Sequence, residues 1–232
     1  MSLTMGRGPF SADPAGYFQP ALTTQVVYVE PFLRRVRGRI AERTVIDSER
    51  VLLVHRAGEP PRYAFPEADV AADVVNTPEP AAVGYVRVAW NAVTSWYEED
   101  EQVLGHARNP YHRIDCVRSQ RQLRVEVQGA VIVDTSDVIC LFETASAPRL
   151  YVHKHHVQMD RLIASQTSTY CPYKGFASYW SAEVAGVTVP DIAWSYEDPT
   201  PESSKIAGCL SFYPERAKVV QDVMAWFTTK TP

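Results

Sequence analysis

Residues 36–70, VRGRIAERTVIDSERVLLVHRAGEPPRYAFPEADV, align without a gap on residues 123–157, LRVEVQGAVIVDTSDVICLFETASAPRLYVHKHHV. Thr44-Val-Ile-Asp-Ser falls on Val131-Ile-Val-Asp-Thr, and Pro61-Arg62 on Pro148-Arg149, each at a separation of 87 residues. A constant separation marks a repeated supersecondary unit, and the rest of the chain is read from it. Short apolar and β-branched runs between turn residues predict strands near 36–40, 44–47, 51–55 and 62–65, with the same order in the second copy.

Farther along, Gly84-Tyr-Val-Arg-Val aligns with Gly208-Cys-Leu-Ser-Phe at a separation of 124, so the first copy is 37 residues short. What it lacks is the segment from about Gln166 to Glu202: CPYKG at 171–175, a strand from Phe176 to Val184, a turn at Gly186 and AWSYEDP at 193–199. The expected organisation is an N-terminal arm over 1–35, with a first strand at Val26–Val29 closed by Pro31, then a first β-rich repeat over 36–118 and a second over 119–232. The fold class is mainly β with a minor α+β element. If the repeats pack face to face, the missing hairpin leaves an opening at their junction.

The chain has 232 residues, 46% apolar and 22% charged, which suits one large or two small cores. Seventeen prolines and eleven glycines favour strands and turns over long helices. A net charge of −4 with scattered Lys and Arg leaves no basic footprint, so no nucleic acid partner is expected. No apolar run reaches the roughly 20 residues of a membrane span, and the first thirty residues lack the apolar core of a secretion signal. Cys116, Cys140, Cys171 and Cys209 show no C-x-x-C spacing, which fits reduced thiols and a cytoplasmic location.

The stretch joining the repeats, WYEEDEQVLGHARNPYHRID at 96–115, gathers carboxylates, two histidines and aromatics. Read as one helix over 91–104 ended by Gly105, it puts Trp90, Val93, Trp96, Tyr97, Val103 and Leu104 on one side at about 100° per residue. Asp100 then projects into that apolar side, Glu98 points outward, and Glu99 and Glu101 flank the stripe. A buried carboxylate needs a cation or donors, or keeps its proton. In the functional reading Asp100 or Glu99 is a general acid or base oriented by His106 or His112; in the plainer one Asp100 salt-bridges an arginine. After Asn109-Pro110, Arg113 and Asp115 share a strand face as an ion pair.

Taken together, APR at 147–149 before Tyr151, CPYKG, Tyr179-Trp180, AWSY and FYPER at 212–216 resemble family 427 of the domains of unknown function. The YEEDE and GHARNPYHRID segments and the repeat order are similar to its tandem members. The resemblance spans roughly Val36 to Val219 and implies a compact, mainly β domain, likened to the Mss4 or β-tent type, with no established activity. The family also carries a nucleotidyltransferase label, which this chain does not support: it has no Gly-Ser helix start followed by Asp-x-Asp and no phosphate-cradling glycine loop. It departs from the family in lacking CPYKG in the first copy, and its tail over 217–227 reads as helix or strand.

Lys174 before Gly175 is expected at a tight turn, either solvated or, with Tyr173, set over a pocket to hold an oxyanion. Strand alternation puts Arg149, Tyr151, His153 and His155 on one face, so His153-x-His155 is the best metal-ligand spacing, short of a third ligand. Trp96, Trp180, Trp194 and Tyr196 are core residues or pocket walls. The functional expectation is an enzyme acting on a small organic molecule by cofactor-independent acid–base chemistry, of lyase, isomerase, cyclase or hydrolase type. Arg149, Tyr151, Tyr173, Lys174, Trp180, Trp194, Tyr196 and Trp96 contact the substrate. The alternative is a non-catalytic module binding a metabolite or a protein. No cofactor is expected, and a homodimer is compatible with the sequence.

Overall fold

A computed structural model describes residues 10–13 and 27–221. The chain divides into two compact units, Met1–His112 and Arg113–Pro232, and each is mainly β. The arm expected over 1–35 is described only in part, and the tail beyond residue 221 lies outside the described residues.

The first unit runs β1 (Val27–Phe32), β2 (Val36–Ile40), β3 (Arg43–Ser48), β4 (Val51–Arg56), β5 (Arg62–Pro66), β6 (Asn76–Pro78), β7 (Tyr85–Val88), β8 (Ser95–Glu98) and β9 (Glu101–Val103). A five-stranded sheet, ordered β1-β4-β5-β7-β6, faces a four-stranded one, β3-β2-β8-β9. Val36, Val45, Ile46 and Trp96 of the small sheet share one core with Val51, Leu53, Tyr63 and Phe65 of the large one.

The second unit runs β10 (Ile114–Ser119), β11 (Leu123–Val127), β12 (Ala130–Thr135), β13 (Val138–Glu143), β14 (Arg149–His153), β15 (Leu162–Cys171), β16 (Gly175–Val184), β17 (Val187–Ser195), β18 (Cys209–Phe212) and β19 (Lys218–Gln221). Here the large sheet, β10-β13-β14-β18-β17-β16-β15, has seven strands and the small one, β12-β11-β19, has three.

The sequence repeat is a structural one. Strands β1 to β5 reappear as β10 to β14 with every boundary displaced by 87 residues. Val27 opposite Arg56 becomes Ile114 opposite Glu143, and Phe65 opposite Val86 becomes Val152 opposite Leu210. Strand β8, which pairs Glu98 with Val36, has its counterpart in β19, which pairs Gln221 with Leu123. The repeat therefore begins at β1, so part of the expected arm is a sheet strand. The long hairpin β15–β16 and most of β17 have no counterpart among the described residues of the first unit, where β6 sits directly beside β7.

The helix expected over 91–104 is absent. A 3-10 turn at Trp90–Ala92 leads into β8 and β9, which form a hairpin turning through Glu99 and Asp100. Trp96 and Glu98 are buried while Ser95 and Tyr97 are half-buried, so the period is two rather than 3.6. Val93, Thr94, Trp96 and Tyr97 favour extended backbone, and pairing with β2 secures it.

Candidate functional site

Alternation on the large sheet of the second unit positions the site. Val138, Cys140, Leu150, Val152, Leu210 and Phe212 point into the core shared with the small sheet. Their neighbours Ile139, Leu141, Tyr151, Trp194 and Cys209 point the other way into a second cluster rich in aromatics. Covering both faces buries most of β13 and β14 and all of β18, and on the outer face it leaves a cavity of about 190 Å³.

Each wall comes from a definite element. Leu141 and Glu143 lie two apart on β13, as Arg149 and Tyr151 do on β14, with Leu141 directly opposite Arg149. Tyr179 of β16 is opposite Trp194 of β17, and Tyr196 follows that strand. Tyr213 stands just past β18, its ring 4.3 Å from that of Trp194. The Trp194 indole N–H donates to the Tyr151 hydroxyl at 2.9 Å, and the Arg149 guanidinium lies 5.5 Å from the Trp194 ring centre.

Lys174 arrives from the turn closing the β15–β16 hairpin, where its N–H donates to the Cys171 carbonyl at 3.2 Å. Gly175 follows in the left-handed region at φ 95°, and a side chain there would meet the Asp198 carbonyl oxygen at 3.2 Å. The turn is strapped from outside: the Thr200 hydroxyl donates to the Tyr173 carbonyl at 2.6 Å and the Thr200 N–H to the Lys174 carbonyl at 3.2 Å. So held, Lys174 donates to Glu143 Oε1 at 2.6 Å, with side-chain exposures of only 9% and 10%.

Among the described residues Arg149 has no carboxylate within ion-pair distance. The cavity thus carries two cations against one carboxylate. Three of its phenols stay protonated: burial pushes Tyr151 and Tyr196 well above the ordinary tyrosine range, and burial together with a Tyr179 hydrogen bond raises Tyr213 to about 12. A neutral phenol is a hydrogen-bond donor, so the arrangement suits a small molecule with one anionic group and a flat or apolar body.

Five of the expected substrate contacts, Arg149, Tyr151, Lys174, Trp194 and Tyr196, meet here. Tyr173 flanks Lys174 but does not line the cavity. Trp180 is turned away. It pairs with Ala193, on the opposite face from Trp194, packs against the inner core and donates to Ser195 Oγ at 3.1 Å. Glu143, Tyr179 and Tyr213 were not singled out for the site from sequence. The charge reversal between Arg56 and Glu143 at equivalent repeat positions was the available signal for the first of them.

The junction residues do not converge as expected. Asp100 sits at a hairpin turn with its side chain 98% exposed and pairs with Arg37 at 2.6 Å rather than with a histidine. Glu99, exposed on the same turn at φ 50°, accepts from the Arg35 N–H at 2.9 Å. The buried carboxylate is instead Glu98, which was expected to point outward; it accepts hydrogen bonds from Arg34 and the Tyr63 hydroxyl. His106 donates Nδ1–H to the Ala107 carbonyl at 2.7 Å, and burial lowers its pKa. With Trp96, Tyr63 and Trp90 it lines a separate cavity of about 290 Å³ in the first unit. His112 is half-buried in the turn before β10, and the Arg113–Asp115 pair forms at 2.9 Å as expected.

In the first unit, strand pairing puts Arg56 at the place of Glu143, Ala64 at that of Tyr151, Thr77 at that of Trp194 and Arg87 at that of Ser211. Glu79, fully buried, bonds Arg56 and lies 3.4 Å from Arg87. The first unit thus spends this position on an internal ion cluster, and the second keeps it concave.

Of the two histidines weighed as metal ligands, His153 is held by Cys209, with Nδ1 3.2 Å from the sulfur, and stacks on His155 at 5.5 Å. All four cysteines are free thiols, and burial raises those of Cys116 and Cys209. Among the described residues no helix is long and apolar enough to cross a membrane.

Over 121 residues the chain is 26% identical to the human vacuolar fusion protein MON1 homolog B, an alignment covering 51% of this chain and 21% of that protein. The sequence model of a domain of unknown function, DUF427, matches residues 115–223. That span runs from β10 to the end of the chain's last described strand and carries every wall of the 190 Å³ cavity. Over that span the second unit is similar in sequence to the DUF427 family.

Proposed function

We propose that the second unit captures a small organic anion in the cavity between Arg149 and Lys174. The observation that carries this reading is a guanidinium lying over the Trp194 ring with no carboxylate partner among the described residues. Arg149 offers the fork geometry that suits a carboxylate, Tyr196 and Tyr213 supply neutral donors, and the Trp194 and Tyr213 rings bound an apolar body. A thermal-shift screen of small carboxylates, with the matching neutral amides as controls, tests it. Binding to the native state alone raises stability by about 2.7 kcal/mol at 100-fold excess over Kd. Carboxylates should stabilise the wild type and not the Arg149→Met variant; equal response to amides and carboxylates would refute the reading.

Cofactor-independent acid–base turnover is the second reading, favoured by one feature. Glu143 and Lys174 form a carboxylate–ammonium pair inside the same cavity, within reach of a bound molecule. On this reading they take the role first given to Asp100 and His112, and Glu143→Gln should keep ligand binding while abolishing turnover. A cytoplasmic location belongs to the same proposal, supported by the four unpaired thiols. Vacuolar fusion is named for the human relative alone, and no feature of the cavity speaks for it here.

A further inference from the structure

The repeat exposes a second place where the two units differ in chemistry on the same scaffold. In the first unit the turn between β3 and β4 meets the 3-10 turn after β5 through Arg50, which donates to Asp69 at 2.7 Å, while Ser48 Oγ donates to the other carboxylate oxygen at 2.7 Å. Both turns are fixed by an Ile46–Val70 bridge and by the Ala71 N–H donating to the Val45 carbonyl at 2.8 Å. The second unit repeats these anchors 87 residues on, with a Val133–Val157 bridge and the Gln158 N–H donating to the Ile132 carbonyl at 2.9 Å.

The side chains, however, are changed. Asp137 replaces Arg50, His156 replaces Asp69, and His155 replaces Ala68. His156 Nε2 lies 3.3 Å from Asp137 Oδ2, the His155 and His156 rings are 4.1 Å apart, and one donor atom from each of the three residues falls within 4.8 Å of the others. Where the first unit supplies its own guanidinium cation, the second presents a carboxylate and two imidazoles. Among the described residues Asp137 has no Lys or Arg partner.

We propose that Asp137, His155 and His156 bind a divalent ion of the zinc class. Two imidazole nitrogens and one carboxylate suit late first-row metals, whereas calcium and magnesium prefer all-oxygen sites. Zinc bonds of about 2.0–2.2 Å in a tetrahedron put donors roughly 3.4 Å apart, which the His156–Asp137 separation already meets. Water completes the coordination. Both turns are held by backbone hydrogen bonds, so side-chain rotation alone closes the site.

The test is equilibrium dialysis of the untagged full chain against zinc, with the visible absorption of cobalt(II) as an independent report of tetrahedral geometry. One ion per chain is expected, undisturbed by millimolar magnesium or calcium. His155→Ala and His156→Ala should each weaken binding by about tenfold or more, since even loss of an outer-shell partner costs about 10–100-fold. Asp137→Asn should weaken it too, and His112→Ala should leave it unchanged. These side chains are at the surface, and circular dichroism of each variant checks that it stays folded. The proposal is overturned by a lack of saturable binding, by binding that survives His155→Ala/His156→Ala, or by displacement with calcium.

Discussion

Removing one member of the Lys174–Glu143 pair should cost far more than a surface ion pair does. At 2.6 Å and an effective dielectric constant of about 20, the attraction is on the order of 6 kcal/mol, and desolvating each ion costs several kcal/mol in return. The intact pair is therefore near balance, but an ion that loses this partner with about a tenth of its side chain exposed keeps the penalty and loses most of the compensation. Lys174→Met and Glu143→Leu should each destabilise the second unit by roughly 3–5 kcal/mol, and the double variant by less than either. Urea unfolding of the full chain, followed through midpoints at constant slope, measures all three. Single costs below about 1 kcal/mol would class the pair as an exposed one. A double variant costing the sum of the singles would show that the two charges do not face each other. Either result would refute the reasoning.

Three further outcomes follow from the same geometry. Gly175→Ala should destabilise by about 1–3 kcal/mol, because a left-handed residue acquires a Cβ against the Asp198 carbonyl, and it should weaken ligand binding by displacing Lys174; a neutral effect in chemical denaturation would contradict this. Burial pushes the Glu79 carboxyl up, but the Ala81 N–H and the Arg56 guanidinium hold it below the ordinary value of 4.5, so its stabilisation is complete above that value and lost as pH falls through the lower folded value. Glu79→Gln should therefore be less stable than the wild type at neutral pH, with the gap closing in acid unfolding below about pH 4.5. Asp100→Asn, at a fully solvated turn, should change stability by no more than about 1 kcal/mol and leave ligand binding intact; a large loss would restore the junction to consideration.

Strands β2 to β5 and their second copies were legible because hydrophobic runs and turn residues recur at one separation, a pattern that short irregular loops cannot imitate. Strand β1 was only half visible: it shares the register but little residue identity with β10. The 91–104 segment misled because Val93, Trp96, Tyr97 and Val103 satisfy a helical stripe as well as a strand pattern, and only pairing with β2, over fifty residues earlier, decides between them. A carboxylate does lie among apolar neighbours in this segment, but it is Glu98 and not Asp100. Once the period is two, Glu98 shares the inner face with Trp96, and Asp100 falls on the turn.

Much of the cavity was legible from the family motif, since Arg149, Tyr151, Lys174, Trp194 and Tyr196 all stand within it. Glu143 was not, because its partner Lys174 lies 31 residues away and reaches it only through the strapped turn. Trp180 was misassigned because its face relative to Trp194 depends on the β16–β17 register, which sets Tyr179 opposite Trp194 and Trp180 opposite Ala193, and alternation along a single strand cannot reveal that register.

The most direct measurement is a crystal structure of the full chain soaked with the best-binding carboxylate from the thermal-shift screen. Electron density should fill the second-unit cavity with the carboxylate within hydrogen-bond distance of the Arg149 guanidinium and the body against the Trp194 and Tyr213 rings. A ligand seated elsewhere, or one whose carboxylate turns away from Arg149, would contradict the assignment of this cavity as an anion site.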